Sequence, residues 1–445
     1  MRRRDFGRAG FTGIAAGFAG CGNAGEKQTV NVEESQAPNP YGVQYYEKAK
    51  EVWNRQATSE LPLIAEAADN AAHSLKNGGK LYSQAMFGHM LDLELRKGRP
   101  GNPDYLPTWG WNASDKDYAA IGDGDFLFFD YTKKRVKDVQ DRGTFTVGVR
   151  IPYLPNQTTP KGVLATYQTT DNLLTEDCAD IVLTSGIPFT NGVLYYPEIP
   201  AVRACPLSVQ GVGNFYWMLS AEIAMRDKAN ALNGSSGKAM EYMELIKERG
   251  AKIRADFDNI DAVAQAMTGY IANGGRYWNY SFGCNMYSEN DHRASGLPMS
   301  QSINPENMKE RVKPGHFAII SGESSDIREN FIMAQRLKNI GAHVIYIGPA
   351  KTEGSQGSDI TGLATWHIET YSPEREGALA VPGIDKKICP TTGILYALAL
   401  WMLNSQFISR MIEADMTPGI DMGGHLIGGN GYNKEVRPIV AERGY

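Results

Sequence analysis

Asn273-Gly-Gly-Arg-Tyr-Trp278 repeats an earlier segment, Asn77-Gly-Gly-Lys-Leu-Tyr82. Each segment follows a stretch with helical spacing of apolar residues and opens an apolar run, which predicts a helix end followed by a strand. Other landmarks return in the same order, and a long unit of this size indicates two copies of one domain. They are GDFLFF (124–129) with GHFAII (315–320), Cys205-Pro206 with Cys389-Pro390, and Tyr46 with Tyr242.

The composition is that of an ordinary globular protein. The chain has 445 residues, 42% of them hydrophobic, and a net charge of −5. This length suits two domains, and the charge, without a basic stripe, gives no reason to expect nucleic acid. No apolar run reaches the roughly 18 residues of a membrane helix.

The N-terminus predicts an export signal over residues 1–21. Arg3-Arg4-Asp5-Phe6 has a twin-arginine pattern, and the weakly apolar stretch after it ends at Cys21, which resembles a lipidated cysteine. A basic, disordered terminus is the alternative. Residues 22–40 read as a flexible linker. We therefore expect the protein to be periplasmic, or anchored on the outer side of the membrane. Its only contact with the membrane would be a lipid on Cys21.

Four further cysteines, none in a C-x-x-C pair, give no indication of a zinc site. Cys205 and Cys389 occupy equivalent positions in the repeat and are predicted to be buried free thiols. The alternative is that they are oxidised after export to an oxidising compartment. The other two are Cys178 and Cys284.

Each copy alternates helical and strand patterns, which predicts parallel βαβ units. The fold class is therefore α/β, with two tandem three-layer sandwiches, 41–235 and 236–445, related by a pseudo-two-fold axis. The predicted strands are 81–87, 126–130, 145–149 and 181–184 in the first copy, and 277–283, 317–321, 343–347 and 365–369 in the second. The predicted helices are 46–55, 63–75, 135–141, 207–224, 239–247, 260–271, 327–340 and 394–412.

Each copy resembles a sugar-isomerase (SIS) domain, whose sheet is flavodoxin-like. The resemblance rests on the helix–Asn-Gly-Gly–strand opening, on KPGHFAIISGES (313–324), on AQRLKNIGAHV (334–344) and on the closing loop with CPTT (389–392). It implies binding of a phosphosugar or another anionic carbohydrate derivative.

The turn Ser321-Gly322-Glu323-Ser324-Ser325 lies between a predicted strand and a predicted helix. Backbone N–H groups and hydroxyls there can bind an anion at the positive end of the helix dipole. The alternative is that the serines only cap the helix, with Asp326 and Glu329 completing a capping box. The first copy has Asp130 to Arg135 instead, without glycine or a serine pair.

The resemblance also implies acid and base candidates. Glu94 falls where heptose-phosphate isomerases of the superfamily place a catalytic glutamate, and Glu289 aligns with it. A buried carboxylate with a raised pKa can move the proton of an enediol, whereas an exposed helix glutamate would be inert. Those isomerases supply a catalytic histidine from their last helix. The predicted last helices of this sequence contain no histidine, so His89 and His292 are the candidates to replace it.

Hydroxyls that open the last helix of each copy, Ser208, Thr391 and Thr392, either contact the ligand or cap the helix, with capping favoured. His367 is predicted to be a hydrogen-bonded core residue in a strand. The glycine-rich stretch around His425 is predicted to be flexible.

Taken together, the sequence predicts an exported SIS-fold protein that binds a sugar or sugar phosphate, with no cofactor and no metal. An aldose–ketose isomerase acting through an enediol is the first interpretation. A non-catalytic sugar-binding or sensing lipoprotein is the alternative, and a homodimer is left open.

Overall fold

The structure is a computed structural model that describes residues 39–84, 114–130, 133–151, 173–229, 237–282, 286–291, 293–355, 357, 359–375, 377–426 and 428–445. The helices are α1 (Tyr41–Gln56), α2 (Leu61–Lys76), α3 (Asp115–Ala119), α4 (Lys133–Gln140), α5 (Ser208–Ala229), α6 (Gly237–Ala255), α7 (Phe257–Ala272), α8 (Met286–Asn290), α9 (Met308–Arg311), α10 (Arg328–Ile340), α11 (Thr392–Glu413) and α12 (Gly429–Arg443). The strands are β1 (Leu81–Gln84), β2 (Phe126–Phe129), β3 (Phe145–Arg150), β4 (Ile181–Thr184), β5 (Gly192–Leu194), β6 (Ala204–Pro206), β7 (Tyr277–Ser281), β8 (Gln301–Ser302), β9 (Phe317–Ser321), β10 (His343–Gly348) and β11 (Trp366–Glu369).

The repeated Asn-Gly-Gly segment ends a helix in both halves, as predicted. Gly78 and Gly274 have φ of 85° and 81°, a backbone conformation that favours glycine. The next residue closes the cap in each case, because the N–H of Gly79 donates to Ser74 O and that of Gly275 to Tyr270 O, both at 2.8 Å. The chain then turns directly into β1 or β7.

Two parallel sheets confirm the predicted α/β class. In the first half the described strands pair in the order β1-β2-β3-β4. The sheet of the second half has the order β8-β7-β9-β10-β11, all parallel. Counted along the chain this is 2-1-3-4-5, the flavodoxin-like order.

Both faces of each sheet are covered by helices. Alternate residues of a strand point to opposite faces, so Phe317 and Ile319 of β9 face one core while Ala318 and Ile320 face another. The outer core of the second half includes Leu337 of α10. The inner core is shared by both halves and contains the buried faces of α1, α2, α5, α6, α7 and α11.

Within this shared layer, the first helix of each half packs mainly against the longest described helix of the other half. Helix α1 packs mainly on α11, and α6 packs mainly on α5, while α2 lies against α5 and α7 against α11. The buried Arg226 of α5 pairs with Glu222, whose other oxygen accepts the N–H of Ala239 in α6 at 2.7 Å. This carboxylate therefore lies where the positive end of the α6 dipole favours it.

Matching positions in the two halves have matching geometry. Cys205 and Cys389 are both buried free thiols, as predicted, with φ of 64° and 59°. Burial raises the pKa of both thiols. The hydroxyl of Tyr45 donates to Pro206 O at 2.9 Å and that of Tyr242 donates to Pro390 O at 3.0 Å. By this contact the counterpart of Tyr242 is Tyr45, and the sequence match to Tyr46 was one residue out of register.

The C-terminal stretch is ordered, and the prediction of flexibility there was wrong. His425 is buried, and its Nε2 lies 2.7 Å from Phe189 O. Helix α12 follows, and Val440 on it is buried against Gly419. Among the described helices, none combines the length and the apolar character needed to span a membrane.

Candidate functional site

The predicted anion-binding turn lies at the switch point of the second sheet. Strand β7 has β8 on one side and β9 on the other, so the connections leave in opposite directions between β7 and β9. Ligands of such sheets bind outside the carboxyl ends of the strands at this point. Ser281 and Ser321 are register partners at those ends, and the turn 321–325 continues from β9.

A buried asparagine holds the two strand ends together. The Oδ1 of Asn330 accepts the N–H of Phe282, just after β7, at 3.1 Å, and its Nδ2 donates to Ser321 O at 3.1 Å. A Cβ on Gly322 would lie 2.7 Å from that Nδ2. Glycine at this position therefore lets the turn pass directly over the Asn330 amide.

The serine hydroxyls of the turn are buried and bound to a second loop. Ser324 Oγ lies 3.0 Å from Thr352 Oγ1, and the N–H of Ser325 donates to the same Thr352 oxygen at 3.0 Å. Ser321 Oγ lies 3.5 Å from Tyr280 O. Thr352, in the loop after β10, thus fixes the shape of the turn, although nothing in the local sequence pattern marked it.

The serines do not cap α10, and the capping box expected from Asp326 and Glu329 is not formed. Helix α10 has Ile327 as its N-cap residue, without a side-chain hydrogen bond. Asp326 instead pairs with Arg375 and accepts the Ser324 hydroxyl. Burial opposes ionisation there, but these hydrogen bonds hold the pKa of Asp326 below its ordinary value.

Several backbone N–H groups around the turn lack a hydrogen-bond acceptor among the described residues. The N–H groups of Gly322, Ser324 and Ile327 have no hydrogen-bond acceptor among the described residues. Gly322 and Ser324 are buried. Buried donors need a partner, and together with the start of α10 these groups can accommodate an anion.

The candidate base Glu289 is fully buried in α8. Its Oε1 accepts the indole N–H of Trp401 at 2.7 Å, and its Oε2 lies 3.1 Å from Nε of Arg293. Burial raises the pKa of Glu289 to about 7, although Arg293 and Trp401 both act in the opposite direction. The residue therefore has the titration range required of a general base.

Glu289 faces the junction between the halves. Its ion-pair partner Arg293 also donates to Ser208 Oγ at the start of α5, and Tyr45 of α1 is close enough to feel the Glu289 charge. Among the described residues, no hydrogen bond or ion pair joins Glu289 to the turn 321–325.

The hydroxyl of Thr391 does not cap α11. Thr391 is the N-cap residue of α11 but makes no capping bond. Its Oγ1 accepts from Arg249 at 2.5 Å and donates to Glu374 at 2.9 Å. The Ser208 hydroxyl is bound by Arg293, and Thr392 is buried in the first turn of α11.

Several predicted residues lie outside the described part of the chain. They are Cys21, Glu94, His89, His292 and Cys284, and their roles stay predictions. His367 lies in β11 with Nε2 3.0 Å from Gly348 O, so its hydrogen bond is as predicted, but the side chain is half-buried and does not belong to the core. Within the described residues no group of three His, Cys, Asp or Glu side chains is arranged to hold a metal ion.

The sequence matches no protein-family model and no curated protein. Solved structures do resemble the chain in fold. The tagatose-6-phosphate ketose/aldose isomerase of Escherichia coli matches at 12% identity and a TM-score of 0.45, over 85% of this chain and 94% of that one. The C-terminal domain of glucosamine-fructose-6-phosphate aminotransferase from Francisella tularensis matches at 9% identity and a TM-score of 0.46, over 88% of this chain and 100% of that one. A candidate phosphosugar isomerase of Silicibacter pomeroyi matches at 13% identity and a TM-score of 0.47, over 86% of this chain and 100% of that one.

Proposed function

We propose that this chain is an SIS-domain protein that binds a phosphosugar or another anionic carbohydrate derivative at the turn 321–325. The observation that carries the proposal is the set of buried donors at the switch point. Gly322 and Ser324 have backbone N–H groups without acceptors among the described residues, beside the Ser321 and Ser324 hydroxyls. An anionic group is the partner that satisfies such donors best.

A thermal-shift series tests the binding proposal. We expect sugar phosphates to raise the melting temperature of the protein and the matching neutral sugars to do so much less, because a ligand bound only by the native state stabilises it. Inorganic phosphate serves as the control for the anionic group alone. A melting temperature that stays constant with every sugar phosphate and sugar acid at millimolar concentration would contradict the proposal.

Catalysis is a second proposal, and Glu289 is the observation that favours it. A carboxyl group with a pKa near 7 can take and return a proton at neutral pH. An isomerase of the aldose–ketose type would use it to move the enediol proton. The alternative is a non-catalytic sugar-binding or sensing lipoprotein, which is favoured by the lack of a histidine in α5 and α11.

The tandem duplication is likewise a proposal. It is supported by the paired hydrogen bonds of Tyr45 and Tyr242, by the paired thiols and by the reciprocal packing of α1 and α6. A duplicated domain that keeps the interface of a dimeric ancestor would show this reciprocity.

Export by the twin-arginine route is also proposed, from the Arg3-Arg4 pair. Replacing both arginines by lysine is expected to retain the protein inside the cell, because the pair is read by a receptor and not by its charge. Fractionation of cells that express either form checks this. Equal amounts of both proteins in the envelope fraction would refute the assignment.

A further inference from the structure

An open cavity lies in the first half, away from the turn 321–325. Its volume is about 300 Å³, and it is lined by α1, by the loop after β4, by β5 and by the residues just before β6 and α5. This volume is at the lower end of the range for small-molecule sites. The side chains that matter for its chemistry are Lys48, Glu51, Arg55, Thr190 and Arg203.

The cavity carries more positive charge than its own side chains neutralise. Lys48 and Glu51 pair with each other at 3.0 Å. Within the described part of the chain, Arg55 and Arg203 have no carboxylate within ion-pair distance. The guanidinium of Arg203 lies over the ring of Tyr195, 4.4 Å from its centroid. Both arginines line the cavity as solvent-exposed side chains, and neither has a carboxylate partner among the described residues.

The corresponding place in the second half is filled from within. There α6, the loop after β11 and the residue before α11 bring together Arg249, Glu374 and Thr391. Glu374 is buried, so its carboxylate supplies the anion that Arg249 requires. In the first half Val52 takes the place of Arg249 if Tyr45 is matched to Tyr242, and the loop offers Thr190 in place of an acid.

We propose that the cavity lined by Arg55 and Arg203 is a second binding site, for a monosaccharide that carries a phosphate or carboxylate group. Arg55 and Arg203 bind its charged oxygens, for which the planar guanidinium is well suited. The Thr190 hydroxyl donates to Gly192 O at 2.9 Å, and its oxygen can accept a hydrogen bond from a sugar hydroxyl. This site does not depend on the turn 321–325.

Calorimetry in a Ser321→Ala/Ser324→Ala background isolates this site from the turn. Glucose 6-phosphate and glucuronate are titrated as the two anionic probes, inorganic phosphate as the anion alone and glucose as the neutral sugar. We expect one of the two sugar probes to bind and glucose not to bind. Adding Arg55→Gln and Arg203→Gln should weaken that binding by at least about 100-fold, because hydrogen bonds to charged groups contribute about 1.5–3 kcal/mol each. Which sugar probe binds identifies the anionic group.

Two further variants complete the test. Lys252→Gln with Lys338→Gln removes the same charge from exposed positions of the second half and should leave binding within about twofold. Thr190→Glu places a carboxylate beside the two arginines, as Glu374 lies beside Arg249, and should abolish binding while the melting temperature is kept. Failure of both sugar probes to bind, or equal losses in the lysine control, overturns the proposal. Neither outcome bears on the turn 321–325, which is tested by sugar binding to the Arg55→Gln/Arg203→Gln variant.

Discussion

Replacing Glu289 by glutamine is expected to make the protein more stable at pH 8, relative to the parent, than at pH 5, by about 2–3 kcal/mol of unfolding free energy. Burial raises the pKa of Glu289 from 4.5 to about 7. Since one pKa unit corresponds to about 1.4 kcal/mol, ionising this side chain in the folded protein is costly. Glutamine keeps the shape and can still accept the indole N–H of Trp401.

The sign follows from where the proton is held. Between about pH 4.5 and 7 the folded protein keeps the proton on Glu289 while the unfolded chain has lost it. The folded state therefore binds more protons, so this residue lowers the stability of the parent as the pH rises through that window. The glutamine variant has no such loss. Urea unfolding at pH 5, 6, 7 and 8 measures the difference, with the exposed Glu241→Gln as control. A constant difference between parent and Glu289→Gln would show that Glu289 is ionised throughout.

The same variant separates the two proposed functions. For an isomerase, turnover should fall by about 10²–10⁴-fold while the affinity for the sugar is kept, which is the range of a general base. Arg293 lies 3.1 Å from the carboxylate, so binding and folding are measured alongside. A parent protein that binds sugar phosphates but turns over none of them supports the binding or sensing function. Intact turnover in Glu289→Gln would place the base elsewhere.

The four main strands of each half and the long helices beside them were predictable because local pattern decides them, whereas β5, β6, β8 and α12 were not predicted. The turn after β9 was predictable as well, since glycine and serine directly after a buried strand have few other uses. Thr352 and Asn330, which fix that turn, were not predictable. Each bonds to it from another place in the chain, and an isolated Thr or Asn in a loop or helix has no distinctive spacing.

The surroundings of Glu289 show the same limit. The sequence identified the residue by its position after β7, but its burial arises from α11, more than 100 residues away, where Trp401 bonds to it. Similarly, the hydroxyl of Thr391 pointed to a helix cap. The buried pair of Arg249 and Glu374 competes for that hydroxyl, and neither residue is near it in sequence. The burial of Glu289 and the hydrogen bonds of Thr391 therefore depend on polar partners that are distant in sequence, which local propensity does not reveal.

Replacing Ser321 and Ser324 together by alanine is expected to weaken binding of the anionic sugar at the turn by about 1.5–3 kcal/mol, the contribution of one hydrogen bond to a charged group. The Ser321 hydroxyl is buried beside backbone donors that have no acceptor among the described residues, whereas the Ser324 hydroxyl donates to Asp326 and helps to hold the shape of the turn. Calorimetry is performed on the Arg55→Gln/Arg203→Gln background, so that the turn is measured alone.

The control is Ser405→Ala, which removes another buried hydroxyl, one that bonds to Met402 O within α11. It should cost stability comparable to either single change in the turn and should leave the affinity intact. Ser324→Ala also loses the contact with Thr352, so a small decrease in melting temperature is expected in both cases. Only a turn that binds the ligand predicts a large loss of affinity for the double variant together with none for the control. Equal affinities in the two proteins would remove the turn from the binding site, and the donors of Gly322 and Ser324 would then be satisfied by water.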